Sequence, residues 1–127
     1  MKRSRRLATF VTATLLALSS QAATSAPAAA ATYATCSIFL ETKCYTDPHI
    51  RAPYGMIRAT IKVDDNGSNI GGQVYDGVNG NPVGPSLRCY DAGATCGTII
   101  KGLTNQYYLK VWCLAPPCGG RGTIYDH

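Results

Sequence analysis

The sequence has almost no helix signal. Past residue 31, no window of ten or more residues carries apolar side chains at helical spacing without a Gly or Pro interrupting it. That leaves the all-β class. Long apolar runs are equally scarce. The single one, Leu7 to Leu18, falls short of the roughly 20 residues needed to cross a hydrocarbon core. No second run follows, so no membrane anchor is expected.

Excess charge of one sign is missing too, once the chain is divided. It holds 12 Lys+Arg and 7 Asp+Glu. Lys2, Arg3, Arg5 and Arg6 lie in the first 31 residues and every acid lies beyond them, so residues 32–127 carry 8 − 7 = +1. A nearly neutral domain lacks the extended cationic field that a phosphate backbone or an anionic bilayer requires. Nucleic acid is therefore not an expected partner.

Catalytic signatures are also lacking. The only histidines are His49 and His127, and there is no Gly-x-Ser-x-Gly elbow, His-Glu-x-x-His pair or phosphate loop. Glu41, His49 and Arg51 supply the acid, base and cation types of a small ribonuclease, but any chain with a few charged residues offers as much, and Asp47-Pro48-His49 reads as a solvated turn. The run Asp64 to Asn69 begins like a calcium loop. It departs at its sixth position, Asn69 in place of Gly, and at its twelfth, Tyr75 in place of Glu. No catalytic residue, metal or cofactor is expected.

What the chain does have begins with a leader. A basic start, the Leu7–Leu18 run and a small-residue tract ending at Ala29-Ala30-Ala31 read as a secretory signal over residues 1–31. Residues 32–127 then form a single domain outside the cell. All 6 cysteines fall there, an even number in an exported chain, which reads as three disulfides. A zinc site would need a second short Cys cluster beside Cys113-x4-Cys118, and none is present. The spacings group Cys36 with Cys44, Cys89 with Cys96, and Cys113 with Cys118. Bonds of that kind stiffen local loops; a crossed alternative joins Cys89 to Cys113.

Strand patterns are frequent. From Met56 to Asp64, Ile57, Ala59, Ile61 and Val63 alternate with polar residues, which puts the apolar set on a core face. The run enters Asp64-Asp65-Asn66-Gly67, where Asn-Gly favours a tight hairpin, with Gly71 to Asp76 as the return strand. Further strands are expected at Ser37–Glu41, Ser86–Tyr90, Thr95–Lys101, Gln106–Leu114 and Gly122–Tyr125, separated by Gly and Pro clusters such as Asn79-Gly80-Asn81-Pro82, Gly84-Pro85 and Pro116-Pro117. About seven short strands at this spacing predict a small disulfide-stabilised β-sandwich or small barrel.

The stretch from Gln106 to Cys118 offers the best binding surface. With Tyr107, Leu109, Val111 and Cys113 facing the core, Tyr108, Lys110, Trp112 and Leu114 share the opposite face. With the phase reversed, Trp112 is a core residue. Next comes Leu114-Ala115-Pro116-Pro117, a stiff apolar loop whose Pro116 and Pro117 lose little entropy on docking. The ending Tyr108-Leu109-Lys110-Val111-Trp112-Cys113-Leu114 resembles that of the proteinaceous α-amylase inhibitors of soil bacteria, which share the size and strand-rich pattern. Their Trp-Arg-Tyr inhibitory triplet is absent, and this chain has an extra cysteine pair. The tight Cys113-x4-Cys118 loop resembles that of the enediyne-carrying apoproteins. Both likenesses are architectural and imply a sandwich alone.

Tyrosine surplus, stapled scaffold and missing catalytic set together point to a non-catalytic extracellular protein-binding module. It would be an inhibitor of a secreted enzyme or an adaptor subunit of an extracellular toxin or surface assembly, with Tyr108, Lys110, Trp112, Leu114, Pro116 and Pro117 meeting the partner. The alternatives are a directly acting antimicrobial or toxin, a small-ligand carrier and a small hydrolase.

Overall fold

A computed structural model describes residues 32–127, and the leader expected over residues 1–31 lies outside the described residues. Nine strands and no helix occur among them: β1 (Tyr33–Ile38), β2 (Lys43–Tyr45), β3 (Ile50–Arg51), β4 (Ile57–Val63), β5 (Ile70–Asp76), β6 (Pro82–Cys89), β7 (Thr95–Ile100), β8 (Gln106–Cys113) and β9 (Gly120–Asp126). They form two antiparallel sheets. One is four-stranded in the order β1-β9-β4-β7; the other runs β2-β8-β5-β6, with β3 also paired to β8. The result is a small disulfide-stabilised β-sandwich.

Alternation builds the interior. Ile57, Ala59, Ile61 and Val63 are fully buried from β4, as their period of two requires, and they meet Tyr107, Leu109 and Val111 of β8 with Ile70 and Val74 of β5. Ile38, Ile50, Leu87, Ile100, Leu103 and Ile124 extend the core. Each buried isoleucine, valine or leucine contributes roughly 1.5–3 kcal/mol by leaving water. Buried Tyr107 keeps its polar end satisfied, because its hydroxyl accepts the N–H groups of Thr104 and Asn105, both at 3.0 Å.

The expected hairpin over Asp64 to Gly67 does not form. β4 pairs with β7 and β9, while β5 pairs with β6 and β8, so the connection between them carries the chain from one sheet to the other. Gly67 N–H does donate to Asp64 C=O at 2.9 Å, closing a turn. Neither Asn66 nor Gly67 has positive φ, so the primed geometry that twists two strands into a hairpin is absent. Two short strands, β2 and β3, escaped the sequence pattern. They form one interrupted edge along β8, and where the edge breaks the Thr46 hydroxyl accepts Leu109 N–H at 2.9 Å. The first strand lies earlier than Ser37–Glu41, starting at Tyr33. β6 runs straight through Gly84-Pro85, which form a bulge within it rather than a break. There Gly84 has φ +69°, and the Gln73 side-chain amide donates to the bulge carbonyls of Val83 and Gly84.

The chain changes sheet six times, and four of those crossings, over 39–42, 64–69, 90–94 and 114–119, gather at one pole. Cys36–Cys44, Cys89–Cys96 and Cys113–Cys118 are the disulfides. Each staples one crossing: Cys36 leaves the four-stranded sheet and Cys44 enters the other, Cys89 and Cys96 do the reverse, and Cys113–Cys118 closes the path from β8 to β9. All three loops are short in sequence, as expected, but Cys36–Cys44 and Cys89–Cys96 also fasten sheet to sheet, while Cys113–Cys118 ties the end of β8 to the crossing before β9.

The opposite pole is held by hydrogen bonds. Asp76, at the end of β5, accepts Val78 N–H at 2.7 Å, Asn79 N–H at 3.3 Å and Asn105 Nδ2 at 2.8 Å, tying the β5–β6 turn to the β7–β8 connection. The Asn105 amide leads in holding its carboxyl below the ordinary value; burial opposes it, and the two backbone N–H groups add to the lowering.

Replacing Cys89 and Cys96 by Ser together should destabilise the fold by about 2.5 kcal/mol through the entropy of the freed loop, read by denaturant unfolding. An unchanged midpoint would remove the stapling account. Because the folded Asp76 value lies below the unfolded one, its stabilisation is complete above the ordinary carboxylate value of 3.8 and is lost as pH falls through the folded value. Thermal melts of Asp76→Asn should consequently show a smaller drop below pH 3.8 than the parent protein shows.

Candidate binding face

The half-buried positions of β8 decide its phase. Tyr107, Leu109 and Val111 are in the core, and Tyr108, Lys110 and Trp112 point away from it. The register then sets their neighbours. Lys43, Trp112, Gly71 and Arg88 form one row across β2, β8, β5 and β6; Tyr45, Lys110 and Gln73 form the next; Tyr108 stands beside Tyr75 in the third; Arg51 faces Gln106 in the fourth. All of these occupy outward positions on one sheet.

The rings make a continuous platform. Tyr75 stacks on Tyr108 with centroids 5.5 Å apart, His49 stacks on its other side at 5.0 Å, and Tyr45 leans against it at 6.2 Å. Lys110 Nζ stands 5.9 Å from the centre of the Tyr45 ring and 5.8 Å from that of Trp112, a cation held between two π faces. Trp112 lies flat across Gly71, where a Cβ would come within 2.6 Å of the indole, so glycine is what lets the ring rest on the backbone. Tyr45 is 49% exposed. The platform thus offers flat apolar area with one polar centre and little side-chain freedom left to lose.

The six residues proposed from sequence do not share one surface. Tyr108, Lys110 and Trp112 lie together on this face. Leu114 already begins the crossing, its N–H bonded to Asn69 C=O, and exposed Pro116 and Pro117 belong to the stapled pole. There Pro117 lines a cleft of about 520 Å³ with Phe39, Leu40 and the Asp64–Gly67 turn. The sequence did not place Tyr45, His49 or Tyr75 on this face, and His49 figured there only as a ribonuclease-type base. Tyr75 alternates in phase on its strand, but its nearness to Tyr108 follows only from the β5–β8 register. The Glu41 and His49 pair is not assembled. Lys43 lies opposite Trp112 and Ile50 opposite Tyr107, so Glu41 and His49 sit toward opposite ends of β8.

Gly71→Val should push the Trp112 indole off the sheet into water, shifting its emission to longer wavelength while the far-ultraviolet spectrum stays that of a β protein. Trp112 is the chain's single Trp, so the signal is unambiguous. An emission spectrum identical to the parent's would show that the ring does not rest there.

Compared with known proteins, the chain matches no family model, and no curated protein matches it.

Proposed function

We propose that this protein is exported and acts outside the cell as a non-catalytic binding module, docking onto a protein partner through the outer face of its five-stranded sheet. The observation that carries this reading is the Tyr45–His49–Tyr108–Tyr75 stack with Lys110 set between Tyr45 and Trp112. Tyr and Trp are the side chains that most often anchor protein interfaces, because they bury much area while freezing few torsions. Presented on a sheet fastened by three disulfides, they need no further ordering on contact. Three disulfides in so small a fold are consistent with an oxidising, extracellular setting. Inhibition of a secreted enzyme and service as an adaptor both use such a face, and the separation of Glu41 from His49 favours either over hydrolysis.

Immobilised protein should capture one stoichiometric partner from the producing culture's fluid. Trp112→Ala and Tyr108→Ala should each weaken that capture by about thirtyfold, the usual loss at an aromatic anchor. Leu40→Ser, at the stapled pole, should leave it unchanged. Capture that survives both aromatic substitutions, or that never occurs, would overturn the reading.

A further inference from the structure

Charge is sorted by position in this fold. Among residues 32–127, seven of the eight cationic side chains stand on strands, the exception being Lys101. All seven carboxylates stand in connections or as the last residue of a strand. The outer face of the five-stranded sheet consequently carries Lys43, Arg51, Arg88 and Lys110 and no carboxylate at any outward strand position. The acids nearest to it are Asp47, on the edge connection between β2 and β3, Glu41, in the crossing before β2, and Asp76, already occupied by Val78, Asn79 and Asn105.

Resting on the docking reading above, we infer that the partner meets this face with a compact patch of carboxylates on a protein surface. Lys110 is the centre of the argument. It is half-buried between Tyr45 and Trp112, so a carboxylate reaching it is flanked by rings that exclude water and strengthen the charge-assisted hydrogen bond. Lys43 and Arg88 stand at either end of the Trp112–Gly71 row and give a second and third contact, and Arg51 a fourth. A bounded patch fits better than a long polyanion. The face is only about 27 Å long at 3.4 Å per residue, and a nucleic acid or polysaccharide running off its end would pass Glu41, Asp64 and Asp65 at the stapled pole. The other sheet is also cationic outside, through Arg58, Lys62 and Arg121, and places Tyr33 and Tyr125 beside Arg58 at one end, but its outward middle row is Thr35, Thr123 and Thr60, and Arg58 stands over one ring, that of Tyr125, where Lys110 stands over two.

The test titrates the purified protein with a hexaglutamate peptide and follows Trp112 emission, with hexalysine peptide and a short DNA duplex as comparisons. Hexaglutamate should give a saturable change that weakens by about tenfold when salt rises from roughly 50 to 300 mM, as screening demands. Lys110→Gln and Arg88→Gln should each weaken it by about fivefold, roughly the worth of one exposed charge contact. Arg58→Gln should not. No titration, an equal response to hexalysine, tighter binding of the duplex, or indifference to Lys110→Gln would overturn the inference. The two proposals fail separately. Partner capture lost in Trp112→Ala but unchanged by salt and by Lys110→Gln would leave the docking face standing and remove the acidic partner.

Discussion

Everything in this molecule depends on holding two small sheets face to face. Four strands on one side and five on the other bury a core of isoleucine, valine and leucine, with Ile61, Val63, Leu109 and Val111 wholly out of water. A domain of this size gains a limited amount from burial alone, and small exported domains supplement it with covalent links. Here the links sit where the chain leaves one sheet for the other. Three of the four crossings at one pole are closed by disulfides, and the fourth is the Asp64–Gly67 turn.

That arrangement divides the surface into parts of different character. The stapled pole presents short covalently closed loops with Phe39 and Leu40 exposed, at 78% and 89%, and Pro116 and Pro117 nearby. The opposite pole relies on Asp76, Asn105 and the Tyr107 hydroxyl to knit its turns. Between the poles, the five-stranded sheet offers a flat outer face whose rings are held from below by the packed core. The face is rigid because every strand that bears it is also a wall of the interior. Its aromatic stack therefore needs no rearrangement to form, which is the property a preorganised docking surface requires.

Net charge conceals how the charges are placed. A balance of +1 over residues 32–127 argues against long-range attraction to polyanions. Yet cations gather on sheet faces and carboxylates in turns, so a nearly neutral body carries locally cationic surfaces. Turn chemistry explains half of that sorting: Asp accepts backbone N–H groups at bends, as Asp76 does with Val78 and Asn79. Lys and Arg, with long apolar stems, lie well across a pleated surface beside rings, as Lys110 does.

Much of the architecture was legible in the residues themselves. The alternation over Ile57–Val63 predicts its buried side correctly, and the absence of helical spacing predicts an all-β fold, because side-chain period is a local property of the backbone. Cysteine spacing suggested the three near pairs that the structure shows. Register and sheet membership were not legible. No local signal states that the Asp64–Gly67 turn crosses between sheets, that two of the short disulfides join them, or that Tyr45, His49 and Tyr75 gather round Tyr108. A period of two left β8 with two possible phases, and packing against β9 and β1 chose the one that puts Trp112 outside. Those outcomes depend on which strands pair across long stretches of sequence, a choice made by the whole core at once, so only the tertiary structure could decide them.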